Sequence, residues 1–230
     1  MTPDFQLSTF NSGLLRPLGD SAVLVVFGEA IDVALNARVH ALAAVLRGRR
    51  AGGDPAWGVP VPAYSSLLVP YDPGLLTYDE AAAHLTALLE SDPAPAAGEP
   101  TAAVVEIPVG YGGVGGPDLA EVAARQGLTP AEVIALHSGT LYRVFMLGFA
   151  PGFAYLGPLP PALVIPRRAT PRPRVPPGSV AIAGHQTGIY PLATPGGWHL
   201  LGQTPAVLWD AHRTPPALLA PGQLVRFVAQ

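Results

Sequence analysis

The chain has 230 residues, 49% of them hydrophobic, with a formal net charge of −3 and a pI near 6.0. That is enough for one large core or two small ones, with no overall attraction for nucleic acid or an anionic membrane. There is no cysteine and all 13 basic side chains are arginine, which excludes disulfides, thiolate metal sites, a cysteine nucleophile, a Walker A phosphate loop, a Schiff base and a biotinylated carrier.

The opening MTPDFQLSTFNSGLL lacks the basic start and apolar run of a signal peptide, and no stretch approaches about 20 uninterrupted apolar residues, so a cytoplasmic protein is expected. SAVLVVFG, 21–28, reads as a strand after a Gly19-Asp20 turn. Asp32 can then cap a helix on which Leu35, Val39, Leu42 and Leu46 recur at helical spacing. A second strand is expected over 65–71. Thr77 and Glu80 have capping-box spacing ahead of a helix carrying Leu85, Leu88 and Leu89. These elements make a small α+β unit over 1–98.

SDPAPAAGEP, 91–100, is proline-rich and aperiodic, which marks a boundary, with a second domain over 99–230. There TAAVVEIPV reads as a strand and 118–126 and 130–137 as short helices, the second with Thr129 and Glu132 in capping-box register. Further strands are expected at 141–147, 179–183, 187–192, 198–201, 206–209 and 224–228. Many short strands separated by Gly and Pro turns suggest a closed barrel.

Several stretches carry polar or aromatic groups suited to a site. LGFAPGFAYLGPLP, 147–160, mixes rings with glycine and proline and reads as a shaped loop whose Phe149, Phe153 and Tyr155 line something. YGGVGGPD, 111–118, has neither GxGxxG order nor a GK[ST] ending, so a tight turn with Asp118 as helix N-cap is preferred to a phosphate loop. Arg167, Arg168, Arg172 and Arg174 lie in RRATPRPR, an extended segment read either as a solvated basic edge or as a docking place for an anion or partner. In GHQTGIYPLATPGGWHLLG, Gln186, Thr187 and Tyr190 are candidate pocket residues, although such side chains beside glycine also form hairpin turns. The six histidines show no metal-ligand cadence, so no metal is expected, and His137 reads as a donor to the last carbonyls of its helix. No GxSxG appears, and the catalytic residues stay unknown.

GDSAVLVVFG, VPAYSSLLVPYDP, IPVGYGGVGGPDL, HSGTLYRVFMLGFAPGFAYLG, PRRATPRPRVPPGSVAIAG and QTGIYPLATPGGWHLLGQTP together resemble the family of 5-oxoprolinase B subunits. That family also takes in a sporulation-kinase inhibitor and allophanate hydrolase subunit 1. The resemblance implies a small N-terminal α+β domain followed by a cyclophilin-like β-barrel domain. It also implies a chain inactive alone, working with the A and C subunits of 5-oxoprolinase, the latter related to allophanate hydrolase subunit 2, in ATP-dependent opening of 5-oxoproline to glutamate. No cofactor is expected on this chain, ATP being used by the assembly, and neither nucleic acid nor membrane is an expected partner. Phe149, Phe153, Tyr155, Arg172, Arg174, Gln186, Thr187 and Tyr190 would form the substrate or partner groove. His185 stands where a small residue would fit more easily. Two alternatives remain: a histidine-kinase inhibitor, anchored by the rings, and a carboxyltransferase component as in urea amidolyase.

Overall fold

The computed structural model describes residues 14–91 and 104–230. The chain divides into two compact units, 1–99 and 100–230. The boundary expected within 91–100 lies, apart from Ser91, outside the described residues.

In the first unit, strands β1 (Leu15–Pro17), β2 (Ala22–Val26), β3 (Val61–Pro62) and β4 (Ser66–Pro70) form an antiparallel sheet in the order β1-β2-β4-β3. Alternation puts Val23, Val25, Leu67 and Val69 on one face, where all are fully buried. That face packs with Val39, Leu42 and Leu46 of helix α1 (Val33–Ala51) and with Ala81, Leu85 and Leu89 of helix α2 (Tyr78–Glu90). Both helix starts follow the sequence signals. The Asp32 carboxylate accepts from the amides of Ala34 and Leu35 at 2.8 and 2.9 Å, and Thr77 with Glu80 closes a complete capping box.

The second unit is a closed seven-stranded barrel. Around it run β10 (Gln186–Ile189), β7 (Ala154–Gly157), β6 (Leu141–Leu147), β13 (Leu224–Ala229), β5 (Val105–Tyr111), β12 (His199–Gln203) and β9 (Ser179–Ala183). Only β5 and β13 pair in parallel. Closure leaves no free sheet edge. Helices α3 (Leu119–Gln126) and α4 (Pro130–Ser138) contribute Val122, Ala123 and Val133 to the interior, beside Ile107, Val144, Leu156, Ile182, Val225 and Phe227. A two-stranded ribbon, β8 (Arg172–Val175) with β11 (Thr194–Gly196), packs on the outside: Val175 joins Phe153, Ala181, Tyr190 and Trp198 in a second cluster.

Three expectations are corrected here. Residues 154–157, read as part of a shaped loop, are barrel strand β7, pairing with β6 and β10; the glycines and prolines on either side disguise it. Residues 206–209 are not a strand. Their carbonyls are taken instead by the loop that follows, with Leu218 N–H donating to Leu208 O at 2.9 Å and the Arg213 guanidinium donating to Val207 O at 3.2 Å. Strand β10 also stops at Ile189, short of 192, because Pro191 cannot donate to a ladder.

Candidate functional site

The helix α4 capping box (Thr129 with Glu132, and Pro130 in the first turn) fixes where this helix begins, and its last turn delivers His137 into the barrel. His137 is fully buried, its ring stacked on Phe227 at 4.6 Å. Its Nδ1 lies 2.6 Å from the Tyr111 hydroxyl and its Nε2 2.8 Å from Thr187 Oγ1. The Thr187 hydroxyl donates its own proton to Ala181 O at 3.0 Å, so its oxygen receives from His137. That fixes the tautomer: Nε2 carries the proton and Nδ1 accepts from Tyr111. Burial pushes the imidazole pKa down to about 3 and the Tyr111 and Tyr142 phenols well above their usual range. His137 is therefore a neutral link in a closed interior chain. The reading of it as a helix-end cap is corrected, because the Tyr142 hydroxyl, at 3.1 Å, satisfies the His137 carbonyl.

The outside of the barrel is different. Along β10, Thr187 and Ile189 face inward, so Gln186 and Gly188 face out. Gly188 leaves no room for a side chain: a Cβ there would meet Ala154 O at 3.0 Å and the rings of Phe153 and Trp198 at 3.1 Å. Around it Phe153, Tyr155, Tyr190 and Trp198 meet edge to face, with centroids 4.8 to 5.9 Å apart. Phe149 is 62% exposed at the rim, with its ring edge-on to Phe153 and Tyr190. Its φ of +67° is the sole positive value of a described residue other than glycine. A bulky side chain held there stores backbone strain of about 1–3 kcal/mol, which collects at functional sites.

The arginine segment comes to this layer through Asp118. Asp118 does stand at the start of α3, but its side chain makes no capping bond; that expectation is corrected. Almost fully buried, it instead accepts from Leu200 N–H at 2.7 Å, Arg172 Nη2 at 2.7 Å and Arg168 Nη1 at 3.0 Å. Burial raises its pKa, but the bond from Arg172, the Leu200 amide and the two positive charges outweigh that and hold the carboxyl below its usual range. Arg168 and Arg172 are thus mostly buried, whereas Arg167 and Arg174 are exposed. YGGVGGPD forms a tight turn in which Gly116 packs directly on the Leu201 carbonyl.

The structure therefore brings together Phe149, Phe153, Tyr155, Tyr190, Arg172 and Gln186 on the outer face, joined by Trp198 and by Asp118. It puts Thr187 inside the barrel, Arg174 on the exposed side of the ribbon and His185 on the exposed β9–β10 hairpin. Asp118 and His137 were missed as network residues because their partners are distant in sequence. Among the described residues no three His, Cys, Asp or Glu side chains are grouped to hold a metal, and no helix is long and apolar enough to cross a membrane.

The chain is 43% identical to the 5-oxoprolinase B subunit of Bacillus subtilis, covering 93% of this chain and 91% of that one. It is 60% identical to that of Escherichia coli O157:H7, over 57% of this chain and 61% of the other. The crystal structure of TTHA0988 matches with a TM-score of 0.78 and 46% identity over 91% of this chain. This chain spans only 40% of TTHA0988. The Kluyveromyces lactis urea carboxylase, 19% identical with a TM-score of 0.70 over 94% of this chain and 21% of its own, shares the fold. The family model for the carboxyltransferase domain, subdomain C and D, matches residues 14–219. With that match and its relatives among 5-oxoprolinase B subunits, the chain belongs to the carboxyltransferase subdomain C and D family.

Proposed function

We propose that this chain is the B subunit of an ATP-dependent 5-oxoprolinase, a cytoplasmic complex with A and C subunits that opens 5-oxoproline to glutamate. The observation that carries the reading is the 43% identity to the Bacillus subtilis B subunit over nearly the full length of both chains. Two features of the chain support a division of labour. It has no lysine for a phosphate loop and no glycine loop of phosphate-binding order, so the nucleotide belongs on a partner. In TTHA0988, moreover, the matching region is joined to a longer chain.

A lactam is a poor electrophile, and its opening needs an activated carbonyl and donors fixed in place before water attacks. On this chain the buried donors without a partner beside the aromatic layer are Arg172 Nη1 and Gln186 Nε2, and they are the groups available to hold such a substrate. The test is reconstitution. The chain alone should release no glutamate from 5-oxoproline and ATP, and addition of the A and C subunits should restore release. Robust turnover by the chain alone, or none by the complete set, would overturn the assignment.

A further inference from the structure

Among the described residues of the barrel unit, five buried polar atoms have no hydrogen-bond partner: Arg168 Nε, Arg172 Nη1, Gln186 Nε2, Thr194 Oγ1 and His199 Nδ1. The His199 atom is an acceptor, since its Nε2 donates to Pro166 O at 2.9 Å. Three of the others are N–H donors, and the two on arginine keep their protons at any working pH. Buried polar groups are paired in native proteins, so unpaired donors call for an acceptor from outside the chain.

Two of these donors border the same aromatic layer from opposite sides. Gln186, only 8% exposed, faces outward one pleat along from Gly188, whose partner on β7 is Tyr155. Arg172 arrives on the ribbon, paired with Gly196, whose backbone packs on the Tyr190 hydroxyl. Burial raises the Tyr190 pKa, and the Arg167 and Arg172 charges oppose that rise without cancelling it. Asp118 holds Nη2 of Arg172, which leaves Nη1 as the free prong of the fork. Counting charges beside the layer, Arg167, Arg168 and Arg172 outnumber Asp118 and Glu121, so the face favours an anion.

We infer that this layer is a binding site for a small planar carboxylate, with Arg172 Nη1 and Gln186 Nε2 donating to its oxygens, the rings of Tyr155, Trp198 and Phe149 covering its apolar body, and Asp118 positioning Arg172. Both donor atoms are out of solvent contact, so binding requires the side chains that cover them to move aside, and Phe149, 62% exposed, is the ring at the rim. The site rests on the unpaired donors; only the choice of 5-oxoproline as first probe rests on the functional reading.

The experiment is NMR of the full chain labelled at glutamine side-chain amides, with the Gln186 signal assigned by its loss in Gln186→Glu. The probes are 5-oxoproline, acetate, and 2-pyrrolidinone, which keeps the lactam ring and lacks the carboxylate. The Gln186 amide should shift with 5-oxoproline and not with 2-pyrrolidinone. Arg172→Lys keeps the charge and loses the fork, and should weaken the apparent affinity about tenfold or more. Asp118→Asn should weaken it as well, whereas Arg125→Lys, on the exposed side of α3, should not. Gln186→Glu, read through the Trp198 indole signal, should abolish binding by like-charge repulsion. A shift with acetate but not 5-oxoproline supports the carboxylate site and counts against the functional reading. No shift with any carboxylate at tens of millimolar, or equal shifts with 2-pyrrolidinone, overturns the site whatever the reconstituted complex does.

Discussion

The barrel carries polar side chains on both sides of its wall, and the two sets are finished to different degrees. Inside, Tyr111, His137, Thr187 and Ala181 O form a chain in which each donor has its acceptor, closed by Tyr142 on the His137 carbonyl. Outside, the Asp118 carboxylate is saturated, while the arginines it holds and the neighbouring Gln186 keep buried donors unpaired. A buried donor without a partner costs about 1–3 kcal/mol, so the inner set contributes to stability and the outer set gives some of it up. Burial alone does not separate the two sets: Thr187 and Gln186 are neighbours on one strand, both buried, and Thr187 is paired while Gln186 Nε2 is not.

The strongest way to break that contrast is to cut the inner chain. His137→Phe keeps a ring against Phe227 but strands the Tyr111 hydroxyl and removes the donor to Thr187. At about 1–3 kcal/mol for each stranded group, unfolding free energy in urea should fall by roughly 2–6 kcal/mol. A loss below about 1 kcal/mol would mean that the inner chain does not hold the barrel.

The same residue sets a pH dependence. The unfolded chain takes up a proton at His137 near 6.5, and the folded chain refuses it until about 3. Unfolding therefore binds a proton across that window, and stability should fall steadily as pH drops from 6.5 towards 3. Asp118, whose folded pKa is depressed, adds its own loss only below its unfolded value of 3.8. Urea titrations at several pH values check this, and His137→Phe should flatten the slope above pH 4 while Asp118→Asn should not.

How much of this the sequence disclosed follows from distance along the chain. The Asp32 cap and both capping boxes join residues two or three positions apart, and each was legible from spacing. So were β6 and β9, whose bounds match the β-rich runs expected for them. Asp118 was misread because its partners, Arg168, Arg172 and Leu200, lie 50, 54 and 82 positions away. His137 was misread for the same reason, with Tyr111 and Thr187 at 26 and 50 positions. Composition did flag the RRATPRPR segment and the aromatic loop, but it could not separate half-buried, ion-paired Arg172 from exposed Arg174. That difference is made by a carboxylate that spacing assigned to a helix cap.

Cutting the outer network should have a smaller effect on the fold. Asp118→Asn retains an acceptor for Leu200 N–H but turns an amide towards the arginines and removes a charge. Because Arg168 and Arg172 keep partial contact with solvent, at 27% and 23% side-chain exposure, a loss of about 1–3 kcal/mol is expected in urea. A loss as large as that from His137→Phe would make the outer set structural too, and the contrast would fail.

The smallest effect tests whether the two sides are independent. Thr129 caps α4 by accepting from Glu132 N–H at 3.2 Å, while the Glu132 carboxylate takes the Thr129 amide at 2.7 Å. Thr129→Ala removes the side-chain half of this arrangement, at a typical cost of about 1 kcal/mol. The loosened helix is the one that carries His137 inward. The variant should therefore unfold at slightly lower urea, with the Tyr111–His137–Thr187 chain intact at pH 7. On the outer face the Gln186 amide and Trp198 indole resonances should stay where they are, since Asp118, the ribbon and β10 are untouched. If those outer signals move with the cap, a one-turn change at α4 is transmitted through the barrel wall by way of Thr187, and the inner chain is then part of the site rather than only its support.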